Sequence, residues 1–271
     1  RCVRVCPESQ LTLENGATVC NGRAVHRSGH SGNTGTNDWG GGIVVDSTAK
    51  LIMNDGSAVT DCFAEQGGGI YLSGEMELNG GMLSGNTAVG DYFDTDHTQS
   101  AHGGAILIRA NRADYDESYD APAKLTMTGG NIQNNKAASD RSAFGGAVAI
   151  LGTPKNSVDL TNEFIMTGGI SGNTAGYGGA ISVYAADRYW NGNASVKISG
   201  NAEITQNTGR NGGGAIALWT SKADDYSSTV EMSGGTISDN KTFSKGGGVF
   251  LYGKGDSFYM TDGKISDNEA K

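Results

Sequence analysis

With 271 residues the chain is long enough to bury a substantial core. Its 44 glycines against three prolines, without a Gly-X-Y period, exclude collagen, and their recurrence at fixed positions argues against disorder. A formal net charge of −9 argues against the basic face that nucleic acid or an anionic membrane demands, and no apolar run approaches the roughly 18–20 residues of a bilayer span.

Residues 1–10 read as an N-terminal extension. The four cysteines, Cys2, Cys6, Cys20 and Cys62, all fall in the first quarter of the chain. A disulfide among the first three would tie this edge down, as suits an exported protein. Cys62 reads as a small buried core residue. No signal-peptide pattern opens the chain, so export implies a targeting segment already removed.

From Leu11 onward the sequence repeats. Segments opening LIMNDG at Leu51, MELNGG at Met76, LTMTGG at Leu125, FIMTGG at Phe164, VKISGN at Val196, VEMSGG at Val230 and FYMTDG at Phe258 share one style. An I-x-x-N-type element ends in turn at Asn86, Asn135, Asn173, Asn207, Asn240 and Asn268, with Cys62 filling that slot in the second unit. A third element follows: GGGI at 67–70, GGAI at 103–106, GGAV at 145–148, GGAI at 178–181 and 213–216, GGGV at 246–249. A degenerate first unit starts with LTLENG at Leu11 and carries Asn33 and the GGGI ending at Ile43. Each element is short, apolar, alternating with period two and bounded by Gly, Asn, Asp or Ser, which are strand signals.

A fixed period of short strands and tight corners is the signature of a solenoid. The expected fold is an all-β, single-stranded parallel β-helix over residues 11–271, with three short strands per coil and about seven to eight coils. Its hand is expected to be right, as for nearly all parallel crossovers. Met53, Leu78, Met127, Met166, Ile198, Met232 and Met260 should form one inward ladder, and Ile106, Val148, Ile181, Ile216 and Val249 a second. The six asparagines should form a third ladder, their amides bonding from coil to coil at a corner. The chain stops at Lys271 midway through a unit, so continuation into further domains of the same chain is expected, or a cover over that end.

The pairing of G-G-A-I with I-x-x-N is similar to the repeats of the chlamydial polymorphic outer-membrane proteins, whose signature is G-G-A-[ILV] with F-x-x-N. It also resembles, over residues 11–271, pectate-lyase-like adhesion domains in large surface proteins of gut-dwelling bacteria. Ile or Leu stands where the chlamydial pattern has Phe, which is closer to the second group. The resemblance implies extracellular or bacterial cell-surface display and adhesion.

Chemistry is expected in the insertions between the third strand and the next unit, at 109–124, 151–163, 184–195 and 219–229. They carry Tyr115, Tyr189, Trp190, Trp219 and Tyr226 beside Asp114, Asp116, Asp187, Asp224, Asp225 and the cation Arg188. Aromatic rings beside carboxylates suit a sugar-binding groove, because ring faces stack on pyranose C–H surfaces while acids accept hydroxyl hydrogen bonds. The plainer reading is that the rings cover the coil edge and the acids are solvated turn residues. If the chain were a glycosidase or lyase, Asp187 with Asp224 or Asp225 would be the acid pair, with Arg188 assisting. No hydrolase, zincin or nucleotide-binding motif is present. A second insertion, 91–102, holds Asp91, Asp94, Asp96, His97 and His102. Its alternating acids are Ca²⁺-type ligands, but the spacing lacks the glycine and terminal glutamate of an EF-hand, so a polar loop is expected, with no cofactor and no metal. The sequence therefore reads as a non-catalytic stalk or adhesion segment whose partners are glycans or surface proteins.

Overall fold

The computed structural model describes residues 1–25, 38–90, 100–110, 121–139, 142–152, 161–185, 193–220 and 228–271. The fold is a parallel β-helix. Among the described residues every strand pairing is parallel, and successive coils stack in three hydrogen-bonded sheets. The first sheet takes one strand per level: Val3–Val5, Ile43–Val45, Ile70–Leu72, Ile106–Ile108, Val148–Leu151, Ile181–Ala185, Ile216–Thr220 and Val249–Leu251. The second sheet has two arms. One runs from Gln10–Leu13 through Lys50–Met53, Glu75–Leu78, Lys124–Met127, Thr161–Met166 and Asn193–Ile198. The other runs from Thr18–Cys20 through Ala58–Thr60, Met82–Ser84, Asn131–Gln133, Gly169–Ser171 and Glu203–Thr205. The arms merge where the long strands Ser228–Ser238 and Ser257–Ser266 pass through both. The third sheet collects shorter strands such as Phe63–Ala64, Thr87–Ala88, Thr174–Tyr177 and Thr208–Gly212.

The first two coils, for example, thus carry four strand segments each, one more than the repeat suggests. The extra one is the short third-sheet strand directly after the asparagine, two residues long in most coils, too brief to leave a periodic signal. Residues 1–10 are also more than an extension, since Val3–Val5 pairs in register with Ile43–Val45.

The inward rows follow the sequence pattern. Leu13, Met53, Leu78, Met127, Met166, Ile198, Met232 and Met260 are successive register partners. So are Ile43, Ile70, Ile106, Val148, Ile181, Ile216 and Val249. Interior members are fully buried, whereas Met260 in the last turn is exposed, as are Leu251, Tyr259 and Ile265 around it.

Corners come from two devices. The residue before each rung of the asparagine ladder adopts positive φ, whether it is Asp61 (φ 55°), Gly85 (φ 68°), Asn134 (φ 57°) or Gln206 (φ 57°). Asn and Asp tolerate this region best among residues with a Cβ, which explains their frequency here. At the second corner Gly145 takes φ 64°, and a Cβ on Gly146 would overlap the Gly179 carbonyl oxygen of the adjacent coil.

The asparagine ladder closes the first corner. Asn135 Nδ2 donates to Asn173 Oδ1 at 3.0 Å, to the Leu83 carbonyl of the preceding coil at 3.0 Å and to its own Gln133 carbonyl at 3.0 Å. The Asn135 backbone N–H donates to the same Asn173 Oδ1 at 2.9 Å. The pattern recurs from Asn173 to Asn207, Asn240 and Asn268. Asn86, Asn135, Asn173, Asn207 and Asn240 are at most 1% exposed, so these amides satisfy backbone groups that water cannot reach. Cys62 holds the rung above, its backbone N–H donating to Asn86 Oδ1 at 3.1 Å. In the first coil the slot falls on Gly22, whose carbonyl accepts from Phe63 N–H, while Asn33 lies outside the described residues.

Truncating a central rung tests this account. Asn173→Ala strands the Ile132 and Ser171 carbonyls and the Asn135 amide groups, at about 1–3 kcal/mol for each buried group left unsatisfied. The expected loss is about 4 kcal/mol in urea unfolding, well above the cost of a surface substitution such as Asn131→Ala.

Candidate functional site

The chemistry-bearing residues inferred from sequence fall mainly in insertions outside the described residues. Tyr115, Asp187, Arg188, Tyr189, Trp190, Asp224, Asp225 and Tyr226 all lie there, as do Asp91, Asp94, Asp96 and His97. The flanks of the four insertions are described. Each insertion connects a first-sheet strand to the first arm of the second sheet, so all four leave one corner of the rod. Trp219 and His102 are the candidates with described surroundings.

Both belong to an aromatic seam on the outer side of the first sheet, in the angle where the chain turns through its Gly-Gly pair. One row comes from the residues just before that pair: Trp39, Gln66, His102, Phe144 and Tyr177. Facing it are outward positions of the first sheet: Val44, Tyr71, Leu107, Ala149, Ser182 and Phe250, with Leu151, Tyr184, Trp219 and Tyr252 beside them. Large and small residues alternate across the angle. Phe144 is level with Ala149, Tyr177 with Ser182, and Phe250 packs where Gly212 leaves no side chain.

The rings occupy each other. Phe144 lies 4.4 Å from Tyr184 and 5.2 Å from His102, centroid to centroid. Tyr177 meets Trp219 edge-on at 4.8 Å, and Trp219 stacks on Tyr252 at 4.0 Å and 20°. Lower down, Trp39 packs on Tyr71 at 4.8 Å, and the Arg109 guanidinium sits 4.9 Å above the Trp39 ring. A pyranose needs an open ring face. The Trp219 face toward the next coil is taken by Tyr252.

His102 ends the strand Ala101–His102, which pairs with Ala143–Phe144, so this end of the 91–102 insertion is strand rather than loop. Its Nδ1 lies 3.1 Å from Gln66 Oε1, and Gln66 Nε2 in turn donates to the Ser100 carbonyl at 2.7 Å. Nε2 is buried without a partner. Burial, helped by the nearby Arg109 charge, pushes the imidazole down to about 3. A base held neutral in this way is not poised to exchange protons near neutrality.

Carboxylates on the outer face of the second sheet are used for cohesion. Glu163 receives Lys197 at 2.7 Å and Lys124 at 3.3 Å, from the coils on either side. The Lys197 hydrogen bond, with Lys124, holds its carboxyl below the usual range against the opposing effect of burial. Lys50 and Glu77 pair at 2.6 Å across another coil step. Among the described residues no group of three or more His, Cys, Asp or Glu side chains is arranged to hold a metal ion. All four thiols are free, so the disulfide expected among Cys2, Cys6 and Cys20 is not formed in this structure. Cys2, Cys6 and Cys20 are exposed on the first levels, and burial raises the Cys62 thiol to about 11.

No family model matches the chain, and no curated protein or solved structure matches it either.

Two outcomes follow from the seam. With a folded pKa near 3 against an unfolded value near 6.5, His102 contributes stability that is whole above about pH 6.5 and fades as pH falls toward 3. Between pH 7 and pH 5 the native protein should lose about 2 kcal/mol more than His102→Phe, read by urea unfolding at both pH values. Trp219→Ala should cost about 2 kcal/mol through lost ring packing, part of the usual cost because the ring is only half-buried.

Proposed function

We propose that this chain is a non-catalytic β-helical stalk or adhesion segment of a bacterial cell-surface or secreted protein. The observation that carries the reading is where the polar groups go. Buried amides bind coil to coil, outward carboxylates pair with lysines on neighbouring coils, and the outer rings stack on one another. Each of these interactions joins one level of the rod to the next. A rod held this way resists extension and offers a long lateral surface, as a display scaffold requires. The repeat style, G-G-A-I with I-x-x-N, supports surface placement through its resemblance to bacterial adhesion domains.

Any ligand recognition is assigned to the four insertions that leave one corner, with glycans or surface proteins as partners. Solenoid insertions gather on one face in this way when that face binds. The competing reading, a glycan-degrading enzyme, would place its acid pair at Asp187 with Asp224 or Asp225.

The test is incubation of the purified protein with a panel of host and plant glycans, followed by mass spectrometry. The panel should be unchanged, and an array of the same glycans should identify any that bind. Defined cleavage products that disappear in Asp187→Asn or Asp224→Asn would make the chain an enzyme and overturn the proposal.

A further inference from the structure

The asparagine ladder does not end at Asn86 but passes into sulfur. Opposite every rung lies a small residue from the corner leading into the first sheet. Gly69 faces Asn86, Gly248 faces Asn268, and Gly42 faces Cys62, whose Sγ is 3.0 Å from where a Cβ on Gly42 would stand. One level earlier the sizes are exchanged. The rung is Gly22, and the facing residue is Cys2, whose Sγ is 2.9 Å from where a Gly22 Cβ would stand.

The two sulfurs reproduce what the asparagine amides do. Cys62 Sγ points at the Thr60 carbonyl of its own coil at 3.2 Å and at the Val19 carbonyl of the preceding coil at 4.0 Å. Those are the positions that Asn135 Nδ2 uses at Gln133 and Leu83. Cys2 Sγ points at the Cys20 carbonyl at 3.7 Å, the same place one level up. Cys2 is therefore a rung supplied from the opposite strand, and its sulfur and that of Cys62 are successive members of one ladder, one coil step apart. With glycine at both 22 and 42, no Cβ stands between them.

We infer that Cys2 and Cys62 form a thiol–disulfide pair that staples strand Val3–Val5 and the first coil to the second. The accessible Cys2 thiolate attacks a small-molecule disulfide such as oxidised glutathione and expels one glutathione thiolate, giving a mixed disulfide on Cys2. Cys62 then gives up its proton, attacks the Cys2 sulfur and expels the second glutathione. Two protein thiols are oxidised and one small disulfide is reduced to two thiols. The second step is slow, because Cys62 is buried among apolar neighbours. Cys20 is not the partner, since its side chain stands in the outward row with Thr60 while Cys2 turns to its carbonyl oxygen.

The experiment is incubation of the folded protein with oxidised glutathione, alkylation at low pH and peptide mapping by mass spectrometry. The expected product is a Cys2–Cys62 linked peptide, with Cys2 left as the glutathione adduct in Cys62→Ala. A Cys2–Cys20 or Cys2–Cys6 link, a persistent adduct on Cys2 in the native sequence, or unreacted Cys2 overturns the inference. A second variant guards against misfolding of Cys62→Ala: Cys6→Ser with Cys20→Ser keeps both ladder sulfurs. It should lose two hydrogens on oxidation and gain several degrees in Tm, reversed by reductant; an unchanged mass and Tm would equally overturn the pairing.

Discussion

Every coil of this protein must set its backbone donors against the acceptors of the coil before it, and the rest of the structure depends on that vertical register. A parallel stack leaves no hairpins to set the register locally. It must be fixed at the corners, where strand pairing lapses and backbone groups would otherwise be buried without partners. The asparagine ladder does this with one amide per coil, which joins three coils through its Oδ1 and Nδ2. Because the amide is almost fully buried, water cannot take the place of a lost bond and each loss leaves an orphan. The repeat is strict at this position and lax on the outer face for that reason.

Everything else accommodates the same step. Positive-φ residues ahead of each rung turn the chain so that the amide points inward. Glycine or alanine opposite the rung leaves room for it, as at Gly69 and Ala105. Where the rung changes, its neighbours change with it. Cys62 keeps the bonding directions of the amide, and the Gly22 level borrows a side chain from Cys2. The outer aromatic seam obeys a similar exchange of large for small across an angle, which gives the rod a second, smaller apolar layer outside the coil. The two layers differ in their demands. The inner one requires a row of like residues, while the outer one tolerates Trp, Tyr, Phe, His and Leu so long as adjacent levels are complementary.

A protein made this way spends its chemical groups on itself. The neutral imidazole of His102, the raised thiol of Cys62 and the lysine-bound carboxyl of Glu163 are all placed by contacts within the rod. On the proposed reading recognition falls to the insertions, which connect the first sheet to the first arm of the second.

Much was legible in the sequence because the fold is periodic. Ladder members such as Met127, Ile181 and Asn173 repeat at homologous positions, and a period of two within each element assigns inside and outside without further information. Position within one coil was enough to place them. What the sequence could not decide was whatever depends on residues meeting between coils or across an angle. The third-sheet strands, such as Phe63–Ala64, are too short to show a period and exist because their neighbours above and below are strands. His102 looked like the end of a polar loop, yet its pairing with Phe144 makes it part of an aromatic layer. Trp219 can be read from the sequence either as a ring for a ligand or as cover for the coil edge, and only the tertiary structure stacks Tyr252 of the next coil on its face. Cys2 reads from the sequence as one of three cysteines able to tie down an N-terminal extension, yet its sulfur lies in the slot left empty at Gly22. The sequence by itself determined the coil, because the coil is a local repeat. Only the tertiary structure decided which side chains remain available for chemistry, because availability depends on what the adjacent coil places against them.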